Sequence, residues 1–257
     1  MSKGVRNSCF IPALCCAALK AAVAGWLCGL SSPSYLLVGL GAGAFVPRLV
    51  GSYDTFMMIL SLCPDILFVY LLSSYIPAQL NSEATIGLPR VGSRRRWSLM
   101  KCARVTARVF VYESLSALFL NVLAMLCGTE LQPQAQCVAA LECIALSGLL
   151  CVAWTLAINL VALGHDALVG FAAITGLHLA TLLALNIMPE QVAGTSATWL
   201  VSARGTPAWH SQVCSLYGIS TNTTANMSPI VSMFVLALLS LVLCAVLMQA
   251  INKLDLL

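Results

Sequence analysis

Pro89-Arg-Val-Gly-Ser-Arg-Arg-Arg-Trp-Ser-Leu-Met-Lys-Cys-Ala-Arg-Val-Thr-Ala-Arg108 is the stretch on which the reading of this chain turns. It holds Arg90, Arg94, Arg95, Arg96, Lys101, Arg104 and Arg108, which is 7 of the 13 basic residues. Around it lie 257 residues of which 60% are hydrophobic and only 9% charged, with a mean hydropathy of +0.93. Soluble domains carry about 25% charged residues, so the composition excludes an ordinary water-soluble fold. A compact basic block in so apolar a chain reads as a loop retained in the cytoplasm by the positive-inside rule. Every apolar segment can then be threaded inward or outward from that point.

Moving outward, the apolar segments predict an all-α, polytopic membrane protein with six transmembrane helices in a single domain. The spans are expected at about residues 10–30, 55–75, 105–127, 137–160, 168–188 and 230–251. Residues 76–104 form the basic loop, and residues 189–228 form a polar loop on the opposite side. The first apolar run begins like a signal peptide, after Lys3 and Arg6, but is too long for an h-region and reads as an uncleaved helix interrupted by Lys20. Within it, Gly25 and Gly29 form a GxxxG that would permit close helix approach. The twelve-residue run Tyr35 to Val46 is too short to cross about 30 Å of hydrocarbon and is placed outside the membrane or at its surface.

Six spans put both termini on the side of the basic loop. Lys3, Arg6, Arg90, Arg94, Arg95, Arg96, Lys101, Arg104 and Lys253 then fall inside, and only Arg48 and Arg204 outside. That bias makes the inner side cytoplasmic. The net charge of +4 does not point to nucleic acid, because the basic residues cluster beside membrane segments.

The 12 cysteines lie mostly in or beside apolar segments, without CxxC or metal-ligand Cys/His spacing, so neither a zinc site nor a disulfide framework is expected. The outer loop carries Cys214 and two glycosylation tripeptides, at Asn222 and Asn226. HExxH, GxSxG and GxxxxGK[ST] are all missing from the sequence, so no enzymatic activity, nucleotide site or cofactor is expected.

Ionisable groups inside the spans are the candidates for chemistry. Asp65, Glu113 and Glu142 each cost about 2.5–3.5 kcal/mol in hydrocarbon on insertion scales, and are the candidate pathway residues. Asp65, beside helix-bending Pro64, lies deepest. The competing reading makes them interhelix hydrogen-bonding groups or pairs near an interface. His178, alone on an apolar segment, reads as a satisfied core residue.

Within the basic loop, Gly92-Ser93 is a turn signal, and Ser93 is placed to cap a helix starting at Arg94. Trp97, Leu99 and Met100 would anchor that short helix at the membrane surface, with the Arg side chains facing water or acidic groups. The pattern Arg-x-Gly-Ser-Arg-x-x-Trp, from Arg90 to Trp97, resembles the small six-span permease subunits of bacterial ABC-2-like exporters, a family associated with bacteriocin or lantibiotic export and immunity. The six-span layout with a long outer loop before the last span is similar too. The resemblance implies a cell-membrane exporter subunit working with a separate ATPase subunit and a second permease chain. Arg90, Arg94, Arg95, Arg96 and Trp97 would form the docking surface. The alternatives are a stand-alone membrane immunity or assembly protein that transports nothing, and a loop that serves only as an anchor to membrane lipids.

Overall fold

The computed structural model describes residues 10–28, 55–83, 93–126, 133–187 and 229–253. These are almost entirely helical, with no strand among them. The helices are α1 (Phe10–Cys28), α2 (Thr55–Leu72), α3 (Tyr75–Glu83), α4 (Arg94–Leu126), α5 (Pro133–Gly164), α6 (Ala167–Ile187) and α7 (Pro229–Lys253). Arg90, Gly29, the 35–46 run, Cys214, Asn222 and Asn226 lie outside the described residues.

Three helical stretches are long and apolar enough to cross a membrane: Arg94–Leu123, Ile144–Gly164 and Met233–Lys253. Large apolar side chains such as Trp26, Leu126, Phe234 and Leu241 point outward, while Lys20, Asp65 and Glu113 are buried. Apolar outside and charged inside is the distribution of helices solvated by lipid, where an unpaired charge on the outer surface would be costly.

The largest departure from the sequence reading concerns residues 76–104, expected as a loop. About two thirds of this stretch is helix, because α3 occupies Tyr75–Glu83 and α4 already begins at Arg94. The capping expectation does hold: the Arg96 N–H donates to Ser93 Oγ at 3.5 Å and the Trp97 N–H to the Ser93 carbonyl at 3.1 Å. The helix that starts at this cap is not a short surface element, since α4 runs unbroken for 33 residues. At 1.5 Å per residue that is about 50 Å, longer than the roughly 30 Å of hydrocarbon. A stripe at helical spacing explains the continuity: Trp97, Lys101, Val105, Val109, Tyr112, Ser116 and Leu120 are all buried.

Helix α5 is the hub, packing against α7, α6, α4, α2 and α3, while α1 lies against α4 and α2. Lipid offers no hydrophobic drive for association, so close approach through small residues has to supply it. On α1 that role falls, among the described residues, to Ala13, Ala17, Ala21 and Ala24, all buried. Between α5 and α6, a Cβ added at Gly170 would lie 2.8 Å from the Ile158 carbonyl oxygen. Only a hydrogen at that position lets the two backbones meet. The hairpin is closed by Gly164-His165-Asp166, where His165 N–H donates to the Val161 carbonyl and Gly170 N–H to that of Asp166.

Candidate functional site: a buried ion-pair cluster

Four helices each contribute to one polar cluster inside the bundle. Lys20 comes from the middle of α1, Asp65 from α2 just after Pro64, Tyr112 and Glu113 from α4, and Cys151 from α5. Lys20 Nζ lies 2.9 Å from Asp65 Oδ1 and 3.0 Å from Glu113 Oε2. The Tyr112 hydroxyl donates to the same Asp65 Oδ1 at 2.7 Å, and the Cys151 thiol donates to Glu113 Oε1 at 3.6 Å. None of the three charged groups is more than 4% exposed, which decides that they are solvated by one another and not by water.

Local structure sets the geometry. Phe68, one turn beyond Asp65 on α2, stacks on the Tyr112 ring with centroids 4.1 Å apart and planes 14° from parallel. That contact fixes the phenol so that its hydroxyl reaches the carboxylate. Lys20 Nζ lies 5.3 Å from the same ring's centroid, within range of a cation–π attraction. Tyr112 and Glu113 are consecutive on α4 and so serve both carboxylate sites from one turn.

Asp65, Glu113 and Cys151 each offer a ligand atom, all within 4.8 Å of one another. A carboxylate pair with a sulfur could hold a cation, but the Lys20 ammonium already lies between the carboxylates. Formally, one positive and two negative groups leave the cluster with a charge of −1. Such an arrangement binds helices together, and it can respond to any change that moves a carboxylate relative to the ammonium.

Of the candidate pathway residues, Asp65 and Glu113 are brought together, with Lys20 bridging them. Glu142 lies on α5 nine residues before Cys151, about 13 Å along the axis, and its side chain falls outside the described residues. The His178 ring rests against Trp154, centroids 4.5 Å apart, in the α5–α6 contact.

Of the docking residues, Arg95 and Arg96 are exposed and Arg94 is half-buried. Trp97 requires correction. It is 1% exposed and belongs to the core with Ile76 and Leu80 of α3, so it offers no face to a partner. The cause is α3, which covers the first turns of α4 where a bare loop was expected. Lys101 is buried there as well, with Nζ donating to Gln79 Oε1 at 2.8 Å and lying 5.1 Å from the Trp97 ring centroid. Arg108 places its guanidinium 4.1 Å from the Tyr75 ring centroid.

Sequence reasoning missed Lys20, Tyr112, Cys151 and Asn159. A signal for Lys20 was present: a single lysine in mid-span demands a carboxylate partner, and Asp65 and Glu113 were the acids in other spans at matching depth. Tyr112, Cys151 and Asn159 carry no such signal, since each fits an apolar helix without comment. No family model, curated protein or solved structure matches the chain.

Proposed function

We propose that this chain is the membrane-spanning permease subunit of an ABC-type exporter. It crosses the cell membrane six times with both termini in the cytoplasm, and works with a separate ATP-hydrolysing subunit and a second permease chain. The observation that carries the reading is the continuity of α4. A single rigid helix joins the Arg94–Arg96 end to Glu113 in the buried cluster, 19 residues or about 28 Å away. Force delivered by an ATPase at the arginines is thereby transmitted to the Glu113–Lys20–Asp65 contact, deep in the bundle. The likeness of Arg90 to Trp97 to the exporter permeases supports the same assignment. With Trp97 buried, the docking surface narrows to Arg90, Arg94, Arg95 and Arg96, beside the lipid headgroups.

Replacing these four arginines by lysine keeps the charge, and so keeps orientation and lipid attraction. It removes the fixed bidentate fork that suits acidic groups on a partner. The expected result is weaker co-purification with the ATPase subunit and a several-fold lower ATP hydrolysis by the complex. A lysine variant that binds and turns over like the parent reduces the segment to an anchor and removes the case for a permease.

A second reading is favoured by the closure of the cluster itself. Lys20, Asp65, Glu113, Tyr112 and Cys151 are all engaged with one another, as in a static pin. That suits a stand-alone membrane immunity or assembly protein. Purification of a stable complex with an ATP-hydrolysing subunit separates the two.

A further inference from the structure

Between α2 and α3 the helix is broken at Ser73 and Ser74, and a side chain from another helix stands in the gap. Had the helix continued, the Ile76 N–H would donate to the Leu72 carbonyl, four residues back. Instead, Asn159 Oδ1 accepts from the Ile76 N–H at 2.9 Å, and Asn159 Nδ2 donates to the Leu72 carbonyl at 2.9 Å. The carboxamide is thus inserted in series into a single rung of the helix ladder, a recognised cause of helix breaks. Its remaining N–H donates to the Thr155 carbonyl at 2.9 Å. Asn159 is fully buried on α5.

We propose that the α2–α3 junction is a two-state hinge latched by Asn159. In the latched state, seen here, the carboxamide separates Leu72 from Ile76 and α3 is docked on α4 through Gln79–Lys101 and Tyr75–Arg108. In the unlatched state the Ile76 N–H bonds directly to the Leu72 carbonyl, α2 and α3 join into one helix kinked at Pro77, whose ring offers no N–H to the Ser73 carbonyl, and those docking contacts part.

A hinge of this kind needs both states to satisfy their polar groups, because an orphaned one costs about 1–3 kcal/mol. The backbone pair satisfies itself. For the released carboxamide, Thr155 Oγ1 lies one turn earlier on the same helix, fully buried and without a hydrogen-bond partner among the described residues. It is the receiving group. The Thr155 hydroxyl can donate to the released Oδ1, which leaves one Nδ2 hydrogen over, so the unlatched arrangement lies above the latched one as the minor state of a bistable element, and α3 is the piece that moves against the arginine-bearing end of α4.

The test needs no transport assay and so stands apart from the permease reading. Spin labels on noncanonical residues at Asn81 and Ala103, both exposed, report the α3–α4 separation in the full chain in lipid nanodiscs. Asn159→Leu, which fills the space but cannot bridge the gap, is expected to shift the mean distance upward by a few ångström. Adding Ile76→Pro should reverse that shift, because proline has no N–H to close the rung and clashes with the Leu72 carbonyl. An Asn159→Leu distribution identical to the parent's overturns the hinge, as does a shift that persists in the double variant. Should Asn159→Leu fail to fold, Ile76→Pro alone decides: the hinge requires it to narrow the distribution onto the parent's main distance, and a displaced main distance overturns it.

Discussion

Lys20 is where the sequence spends most against the membrane, since an ammonium in a helix of alanine, leucine and cysteine must find its counter-charges on other helices. Its two contacts, at 2.9 and 3.0 Å to Asp65 and Glu113, are what make the insertion tolerable. The contributions of the three charges are unequal. Removing Lys20 leaves two carboxylates facing each other in a buried site, a loss of about 3–5 kcal/mol by comparison with other broken buried ion pairs. Replacing Asp65 by Asn keeps an oxygen that can accept from both Lys20 and Tyr112, and brings the formal charge of the cluster from −1 to zero. Lys20→Met should therefore unfold at markedly lower SDS fraction than the parent in detergent micelles, whereas Asp65→Asn should stay within about 1 kcal/mol of it. If Asp65 also serves transport, Asp65→Asn loses export while the amount of folded protein remains normal. Equal destabilisation by both substitutions would mean that the charge balance of the cluster is irrelevant to the fold.

At the scale of helices, the contact between α5 and α6 is set by one missing methyl group. A Cβ at Gly170 meets the Ile158 carbonyl oxygen at 2.8 Å and the Ala162 nitrogen at 3.2 Å, both backbone atoms that cannot swing aside. Gly176, two turns on in the same helix, has nothing within 4 Å of its would-be Cβ. Gly170→Ala should thus part the two helices and cost about 1–3 kcal/mol, as overpacking does. Gly176→Ala should be neutral or stabilising by up to about 1 kcal/mol, through helix propensity alone. The same unfolding titration checks both, and a Gly170→Ala protein as stable as the parent contradicts the packing. The helices themselves were legible: apolar runs, the Ser93 cap and the Gly164–Asp166 turn all gave boundaries within a few residues. The basic stretch was not, because a charge count sees Lys101 and the arginines alike as solvated. Only α3, weakly apolar over Tyr75–Glu83, buries Trp97 and Lys101 and turns a loop into the flank of a 33-residue helix. In the site, Asp65 and Glu113 announced themselves by their cost in lipid. Asn159 did not, since what makes it matter is a gap in another helix's hydrogen bonding.

For the whole molecule the decisive quantity is which side of the membrane the Arg94 end of α4 occupies. Six spans with both termini cytoplasmic put nine lysines and arginines inside against Arg48 and Arg204 outside; the inverted arrangement would place those nine outside, against the positive-inside bias. The length of α4 sharpens the expectation. About 50 Å of helix over about 30 Å of hydrocarbon leaves roughly 20 Å projecting, and the projecting end should be the one carrying Arg94, Arg95, Arg96 and Arg104. The other end, with Leu118, Val122, Met125 and Leu126 exposed on its surface, belongs in lipid. Ser93, exposed at the tip, is then a reporter for the entire topology. In a background with the 12 native cysteines replaced, Ser93→Cys should resist a membrane-impermeant maleimide in intact cells and react once the membrane is permeabilised. A cysteine placed within residues 189–228, expected from the sequence on the opposite side, should behave in the opposite way. Labelling of Ser93→Cys from outside would invert every span at once, and would put the arginines out of reach of any ATPase that hydrolyses cytoplasmic ATP.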